Sequence, residues 1–200
     1  MSISAADVKA LRDRTGAAMM DCKAALAESE GDVDRAIEIL RVKGQASAAK
    51  REGRGTSEGV VASYIHANDK VGAMVEVQCE TDFVARNEDF KAFAYEVALH
   101  VAATAPKYVT ADEIPAEERE AEKRVFEEKA REDGKPDDVV EKIVDGQLAK
   151  WAKEVALLDQ AHVNAEKHES KSIEELRQEL AAKTGENIRV ARFAYFRVGE

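Results

Sequence analysis

The sequence predicts an α+β fold, in which a small helical bundle is followed by a core of helices packed on a short antiparallel sheet. Three amphipathic helical segments fall within the first 44 residues. Two β-rich segments, 59–67 and 70–80, are separated only by Asn68 and Asp69, and a third, 187–198, follows a run of helices. Strands and helices are therefore segregated along the chain, which is typical of the α+β class.

The first two helices are defined by their end signals. Ser4 is a favourable N-cap with Asp7 three residues later, and Gly16 ends this helix. A second helix is expected over 18–29, ended by Gly31. The apolar residues that recur at helical spacing are Val8, Leu11, Met19, Cys22 and Leu26.

A third helix and a linker complete the N-terminal region. Asp32 caps the helix and Gly44 is expected to close it. Its predicted apolar face contains Val33, Ala36, Ile37 and Leu40. The segment 44–58 is rich in glycine and small residues, and indicates a helical extension followed by a flexible joint. We therefore predict a three-helix domain with a linker helix over 1–54 and an α+β dimerisation core over 55–200.

The predicted sheet has three strands. The first two form a hairpin that turns at Asn68-Asp69. One face of the second strand carries Val71, Ala73, Val75, Val77 and Cys79. In the third strand Ile188, Val190 and Val198 share a face, with Phe193 and Tyr195 on the other. A sheet this small leaves two open edges, and a partner subunit that covers one of them would remedy this.

Helices are predicted between the second and third strands. They cover 88–105, 116–133 and 137–156, and a last helix opens with Ser172 and Glu175 as a capping box. Their predicted inward residues are Phe90, Phe93, Val97, Val101, Val125, Phe126, Ala130, Val140, Ile143, Val144, Leu148, Trp151, Val155, Leu176 and Leu180. The acidic segment 112–142 is expected to be solvated.

Composition excludes several classes of function. The net charge of −10 argues against a protein whose main ligand is nucleic acid. No run of about 18 apolar residues predicts a membrane span, and the N-terminus has no apolar signal core, so we expect a soluble cytoplasmic protein. Its two cysteines, Cys22 and Cys79, are expected to stay reduced.

Catalytic and metal chemistry receive little support from the sequence. Acidic Glu80 and Asp82 beside Cys79 are expected to raise the pKa of its thiol and weaken it as a nucleophile. The four histidines have no metal-ligand spacing with either cysteine. Glu80 and Asp82 alone would make a weak divalent-ion site. We therefore expect no enzyme activity, no cofactor and no metal.

The segment that favours a specific function is the junction between the second strand and the next helix. There Thr81, Asp82, Phe83 and Val84 form a short corner that carries one carboxylate and one large aromatic ring. Aromatic side chains are usually buried by the faces of strands and helices. A phenylalanine beside an aspartate at a turn is instead expected to point outward, toward a partner.

Five segments of the chain closely resemble bacterial elongation factor Ts. They are LRDRTGAAMMDCKAAL (11–26), ETDFVARN (80–87), HVAATAPKYV (100–109), GKPDDVVEKIVDGQL (134–148) and TGENIRVARF (184–193). The resemblance covers essentially the whole chain. It departs at Ala18, where the family usually has glycine, and we expect little functional effect from that change.

The resemblance implies a guanine-nucleotide exchange factor for the GTPase elongation factor Tu. Phe83 and Asp82 match the motif that intrudes on the partner's Mg²⁺ and phosphate site, and Thr81 and Val84 would support the corner. The family's N-terminal bundle has a ubiquitin-associated-like topology. The positions of Arg12, Met19 and Met20 match residues that face the GTPase. For Met19 a place in the bundle core is an equal alternative, while Met20 is the better contact because adjacent helical residues cannot both point inward.

Chain length indicates the short form of the family. Longer members carry two related core halves and a helical hairpin in one chain, whereas this chain has a single strand hairpin. The short form implies a homodimer, in agreement with the open sheet edges. Trp151, Phe90 and Phe93 are interpreted as core or dimer-interface residues. The alternative function is a dimeric adaptor that binds ubiquitin-like or peptide ligands through its helical bundle, although the corner at 81–84 would have no evident use in it.

Overall fold

The structure is a computed structural model that describes residues 3–134 and 136–199. Within these residues it has eight α-helices and one three-stranded sheet, so the predicted α+β class is confirmed. In chain order the elements are α1 (Ala5–Thr15), α2 (Met19–Glu28), α3 (Val33–Ala49), β1 (Glu58–Ile65), β2 (Val71–Cys79), α4 (Asp82–Ala85), α5 (Glu88–Thr104), α6 (Ala116–Glu132), α7 (Asp137–Val155), α8 (Ile173–Thr184) and β3 (Arg189–Arg197).

The N-terminal bundle forms because its helices begin and end where the sequence predicts. Ser4 and Asp7 make the reciprocal hydrogen bonds of a capping box, and Gly16 ends α1 in the left-handed conformation at φ +69°. Asp32 accepts a hydrogen bond from the backbone N–H of Arg35 at the start of α3. The three helices enclose a small apolar core of Val8, Leu11, Cys22, Ala25, Leu26 and Ala36.

The sheet has the order β1-β2-β3, with β2 in the centre. The backbone N–H of His66 donates to the carbonyl of Val71, and Asp69 takes a positive φ in the turn between them. These contacts confirm the predicted antiparallel hairpin and its turn. The predicted inward face of β2 is also confirmed, because Ala73, Val75, Val77 and Cys79 are all buried and Val71 is half-buried.

Two compact units divide the chain. The first contains residues up to Ala62 together with Glu76–Ala94 and Glu175–Val190. The second contains Ser63–Val75, Tyr95–Glu174 and the residues from Ala191 onward. These units are made of discontinuous segments and do not test the predicted domains, 1–54 and 55–200. The boundary between residues 54 and 55 therefore stays a prediction. Residues 1, 2, 135 and 200 of those predicted domains lie outside the described part of the chain.

A helical hairpin of α6 and α7 belongs to the second unit. Ala130, Val140 and Val144 form its buried centre, and Phe126 and Ile143 pack against them. The prediction that Val125 is buried is wrong, since its side chain is 56% exposed. Val125 and Phe126 are consecutive in a helix and point in different directions, and Phe126 takes the inward one.

The predicted face of β3 is not tested by Val198, which lies just beyond the end of that strand and is 72% exposed. Two other details of the predicted pattern are wrong. Val33 is 40% exposed because it begins α3 immediately after the cap, outside the bundle core. Gly44 does not close α3, which continues to Ala49. A side chain at Gly44 would start 3.2 Å from the Cβ of Ala182, so this glycine serves close packing inside a helix.

The described helices also bear on the expectation about membranes. Across residues 3–134 and 136–199, none of the helices combines the length and the apolar character that a membrane crossing requires.

Candidate functional site

The corner after β2 is the one-turn helix α4, which begins at Asp82 within the predicted corner 81–84. Thr81 has extended backbone angles and is the N-cap of α4, and its side chain accepts from the N–H of Val84 at 3.5 Å. The carbonyl of Thr81 accepts from the N–H of Ala85 at 3.2 Å. A Thr-Asp-Phe-Val sequence after a strand therefore makes a turn with its own cap.

Phe83 lies on the outer side of this turn. Its side chain is 82% exposed, the highest value among the large apolar residues that the structure describes as exposed. Ala85, two residues later, is buried, and Val84 is half-buried. The prediction that Phe83 points outward is confirmed.

A carboxylate from another part of the first unit holds the corner in place. Oε2 of Glu186 accepts the backbone N–H groups of Glu80 and Thr81, each at 3.0 Å. Its Oε1 accepts the hydroxyl hydrogen of Thr81 at 2.6 Å. Glu186 is not recognisable as a site residue from the sequence, because it lies over 100 positions from the corner.

The residues beside this carboxylate form a second set of hydrogen bonds. The N–H of Asn187 donates to Oε1 of Glu80 at 2.6 Å, and Arg54 pairs with the same oxygen at 3.4 Å. The side-chain amide of Asn187 donates to the carbonyls of Glu52 at 3.2 Å and Arg54 at 2.9 Å. Glu80 and Asn187 thus connect the end of β2 with the segment that follows α3.

Asp82 is the only acidic residue of α4 and is partly exposed. Its Oδ2 lies 3.0 Å from a guanidinium nitrogen of Arg86, one turn later. Exposed ion pairs of this kind contribute about 0.3–0.5 kcal/mol, so Asp82 can exchange Arg86 for another partner at little cost.

Cys79 supports the corner from inside. Its side chain is buried, and its thiol donates to the carbonyl of Thr81 at 3.2 Å. Burial, followed by the charge of Glu186, raises the pKa of Cys79 to about 11. The direction of this shift agrees with the prediction, but its predicted source in Glu80 and Asp82 is wrong. A buried thiol with a raised pKa is a poor nucleophile.

The three candidate contact residues of the N-terminal bundle are all exposed. Met20 is 71% exposed and Met19 is 43% exposed, while Arg12 is also at the surface. The alternative that Met19 belongs to the bundle core is therefore wrong, since that core uses Cys22 and Leu26 from the same helix. Whether these residues bind a partner stays a prediction.

Outside the corner, the second unit contains a histidine cluster that the sequence spacing did not indicate. Nε2 atoms of His162 and His168 lie 3.4 Å and 3.5 Å from Oε2 of Glu96. His162 stacks on His100, with ring centroids 5.4 Å apart, and Lys167 pairs with the other oxygen of Glu96. The ligand atoms of Glu96, His162 and His168 lie within 4.8 Å of one another, which is close enough to test as a metal site.

The hydrogen bonds of His162 and His100 favour neutral rings over metal ligands. Nδ1 of His162 accepts the N–H of Asn164 at 3.1 Å, and Nδ1 of His100 accepts the N–H of Val163 at 3.0 Å. In a neutral ring the other nitrogen then carries the proton, so Nε2 of His162 has no lone pair for a metal. The ammonium of Lys167 on Glu96 also opposes a second cation there.

Burial favours the neutral form of His100 and His162. It lowers the pKa of His100 to about 4, although the hydrogen bond with Gln160 opposes this shift. Burial also lowers the pKa of His162. The pKa of Glu96 is raised by burial but lowered more by Lys167 and His168, and is below its ordinary value overall. The cluster is therefore a buried hydrogen-bond network with a charged Glu96–Lys167 pair at its edge.

Comparison with known proteins gives consistent matches. A family model described as elongation factor TS matches residues 5–169. A curated protein named elongation factor Ts from Geobacter sulfurreducens is 50% identical over 200 residues, covering 100% of this chain and 91% of the relative. A relative of the same name from Fervidobacterium nodosum is 48% identical and covered completely, as is this chain. One from Syntrophomonas wolfei is 51% identical over 198 residues.

Proposed function

Because the chain belongs to the elongation factor Ts family, we propose that it is the guanine-nucleotide exchange factor of the GTPase elongation factor Tu. In this role it binds the GDP form of the GTPase and promotes GDP release during the elongation phase of translation. The observation that carries the proposal is the outward Phe83 on a braced corner.

The thermodynamic requirement is differential binding. A GTPase holds GDP through phosphate contacts and a Mg²⁺ ion that bridges protein and phosphate oxygens. A factor that binds the nucleotide-free form more tightly than the GDP form must weaken GDP binding by the same ratio. Contacts that form only after the nucleotide site has opened supply this difference.

Phe83 is suited to make such a contact. Its side chain is 82% exposed in the free protein, so nearly all of its apolar surface is available for burial in a partner. Full burial of a phenyl side chain contributes about 1.5–3 kcal/mol, which corresponds to about 10–150-fold in an equilibrium constant. Inserted between helices of the GTPase, it would shift the elements that hold the ion.

Asp82 would act beside Phe83. Its weak pairing with Arg86 leaves its carboxylate available to the ligand shell and bound water of the partner's Mg²⁺ ion. Thr81 and Val84 have a supporting role, because the Thr81 side chain caps the turn through the N–H of Val84.

The test is the release of fluorescent mant-GDP from elongation factor Tu in a stopped-flow experiment. Phe83→Ala is expected to slow stimulated release of GDP at least tenfold with the fold intact, since the variant lacks the apolar surface of the phenyl ring. Val125→Ala is the matched control, because Val125 is also an exposed apolar residue but is not assigned a role. Unchanged release by the Phe83 variant would refute the assignment.

The N-terminal bundle is proposed as a second contact. Met19 and Met20 are exposed apolar residues on a compact three-helix unit, and Arg12 is exposed on α1. Flexible methionine side chains adapt to partner surfaces. This contact would contribute to affinity, whereas the corner would act on the nucleotide site. Met20→Ala is therefore expected to raise the factor concentration needed for half-maximal release more than it lowers the maximal rate.

A homodimer is the proposed assembly. Supporting it, four apolar side chains in the strand segments 63–75 and 191–199 of the second unit are 48–72% exposed, namely Ile65, Met74, Phe196 and Val198. The hydrogen bonds of His66 with Val71 and of Val198 with Lys70 put residues 65, 72 and 196 in one row across the strands. A side chain at position 72 would collide with Ile65, so Ile65 folds over a bare stretch of backbone. Such an apolar sheet face is usually covered.

Sedimentation equilibrium tests this assembly. We expect a mass near two chains at micromolar concentration, and a mass near one chain for Phe196→Asp. Val125→Asp should leave the dimer mass unchanged. A mass near one chain for the unaltered protein would reject the dimer.

Other functions receive no separate support. The adaptor alternative uses the same helical bundle as the second proposed contact and leaves Phe83 without a role. We propose a binding protein and not an enzyme, acting in the cytoplasm, where bacterial translation takes place. Neither nucleic acid nor a membrane is proposed as a direct partner.

A further inference from the structure

We propose that Glu186 is a positioning residue for nucleotide exchange, which holds the Phe83 corner in the orientation that enters the GTPase. This inference rests on the proposed function, and goes beyond it by assigning a role to a residue that lies far from the corner in sequence. Glu186 contacts the corner but no part of the partner is required for those contacts.

The corner needs an external brace because it is too short to hold itself. α4 has four residues, Asp82–Ala85. Helix nucleation is unfavourable, and an isolated turn of this length is not stable in water. An exposed Phe83 on such a turn would lose orientation each time the turn frayed. Any precise insertion into a partner therefore depends on contacts that come from outside the turn.

Glu186 supplies three such contacts with one side chain. Two backbone N–H groups, those of Glu80 and Thr81, donate to its Oε2 at 3.0 Å each. The Thr81 hydroxyl donates to its Oε1 at 2.6 Å. With its hydrogen committed to Glu186, the hydroxyl presents a lone pair to the N–H of Val84 at 3.5 Å. The carboxylate therefore orients the cap as well as the backbone. Hydrogen bonds to a charged acceptor are about twice as strong as neutral ones.

The position of Glu186 is itself fixed on both sides. Gly185 ends α8 with φ +76°, which turns the chain toward the corner. Asn187 is buried and bonds through its backbone N–H to Glu80 and through its side chain to the carbonyls of Glu52 and Arg54. Glu186 is thus presented from an anchored backbone.

The corner has one further support that does not depend on Glu186. The buried thiol of Cys79 donates to the carbonyl of Thr81 at 3.2 Å. Removal of the Glu186 carboxylate is therefore expected to loosen the corner without unfolding it. In the exchange reaction, docking would continue while the insertion of Phe83 became less frequent.

The experiment measures mant-GDP release from elongation factor Tu as a function of factor concentration. For Glu186→Ala we expect the maximal rate to fall about tenfold and the half-saturating concentration to change less than threefold. Glu186→Gln, which retains one acceptor oxygen, should recover part of the rate. Asp89→Ala is the charge-matched control, since Asp89 pairs with Lys183 and not with the corner. An unchanged maximal rate for Glu186→Ala would overturn the proposal.

A second measurement separates positioning from direct contact with the partner. In the free protein, the amide hydrogens of Ala85 and Arg86, which bond to Thr81 and Asp82, should exchange at least tenfold faster in Glu186→Ala. Slow amide exchange combined with a reduced maximal rate would reject positioning. If Glu186→Ala does not fold, Thr81→Val replaces it, with Thr81→Ser as the conservative rescue. Phe83→Ala is measured in parallel. If this variant stimulates GDP release normally, the proposed function fails. The amide exchange alone then decides whether Glu186 holds the corner.

Discussion

Thr81 shows at the scale of one residue how a partner-facing turn is made rigid. Its N–H and hydroxyl donate to Glu186, and its hydroxyl oxygen accepts from Val84. Its carbonyl accepts from the thiol of Cys79 and the N–H of Ala85. Every polar group of Thr81 therefore has a partner, and the next two residues are left free to face outward.

The thiol of Cys79 is expected to be unreactive in the folded protein. Burial and Glu186 raise its pKa to about 11. Relative to an ordinary thiol the thiolate fraction at pH 8 falls about 100-fold, and burial slows access further. Iodoacetamide should therefore label Cys79 at least 100-fold more slowly in the native protein than in urea, as followed by peptide mass spectrometry. Similar rates in the two states would contradict the buried, Glu186-facing position.

The site could be predicted only in part from these residues. Phe83 stands out in the sequence because a large aromatic beside Asp82 has no strand or helix face to join. Glu186 does not stand out, since a glutamate after a helix-ending glycine is usually solvated. Its role arises from the approach of two segments that are distant in the chain. Long-range contacts of this kind leave no local periodicity in a single sequence.

At the scale of elements, local signals determined where helices begin more reliably than where they end. The Ser4–Asp7 capping box and the Asp32 cap are both confirmed. The predicted stop at Gly44 is wrong, because this glycine lies inside α3 and allows close packing against Ala182. A cap satisfies N–H groups within four residues, so its signal is local. A packing glycine depends on a residue elsewhere in the chain.

The capping box of α1 has a measurable contribution. Ser4→Ala removes the acceptor for the N–H of Asp7, and is expected to lower the free energy of unfolding by about 1 kcal/mol. Urea unfolding followed by circular dichroism measures this loss. Ser4→Thr keeps a side-chain acceptor and should cost much less. Equal stability of the alanine variant and the unaltered protein would show that the box is not formed in solution.

At the scale of the whole molecule, two exposed apolar features contrast with two histidine side chains that are fully buried. Phe83 and the Ile65–Phe196 sheet face are available to partners. His100 and His162 are inaccessible, and each accepts a backbone N–H from the turn at 163–164. The histidines therefore stabilise the second unit only while they are neutral, which couples the stability of the protein to pH.

The sign and size of this coupling follow from the lowered pKa of His100. Its folded-state pKa of about 4 lies below the value near 6.5 of an unfolded histidine. The stabilisation is fully present above pH 6.5 and is lost as the pH falls toward 4, since only the unfolded state gains the proton in that range. The free energy of unfolding should therefore be about 2 kcal/mol lower at pH 5 than at pH 7.5. The lowered pKa of His162 acts in the same direction.

Urea titrations at pH 7.5, 6 and 5 test this coupling, and two variants assign it. His100→Asn retains an acceptor for the N–H of Val163 but cannot titrate, so its stability should change less between pH 7.5 and pH 5 than that of the unaltered protein. His66→Gln, at an exposed position, should keep the full pH dependence. Glu96 does not account for a loss of stability between pH 7.5 and pH 5. Because its pKa is lowered, its contribution to the free energy of unfolding disappears only at more acidic pH. A pH dependence that is the same in His100→Asn and the unaltered protein would mean that the buried histidine is not its source.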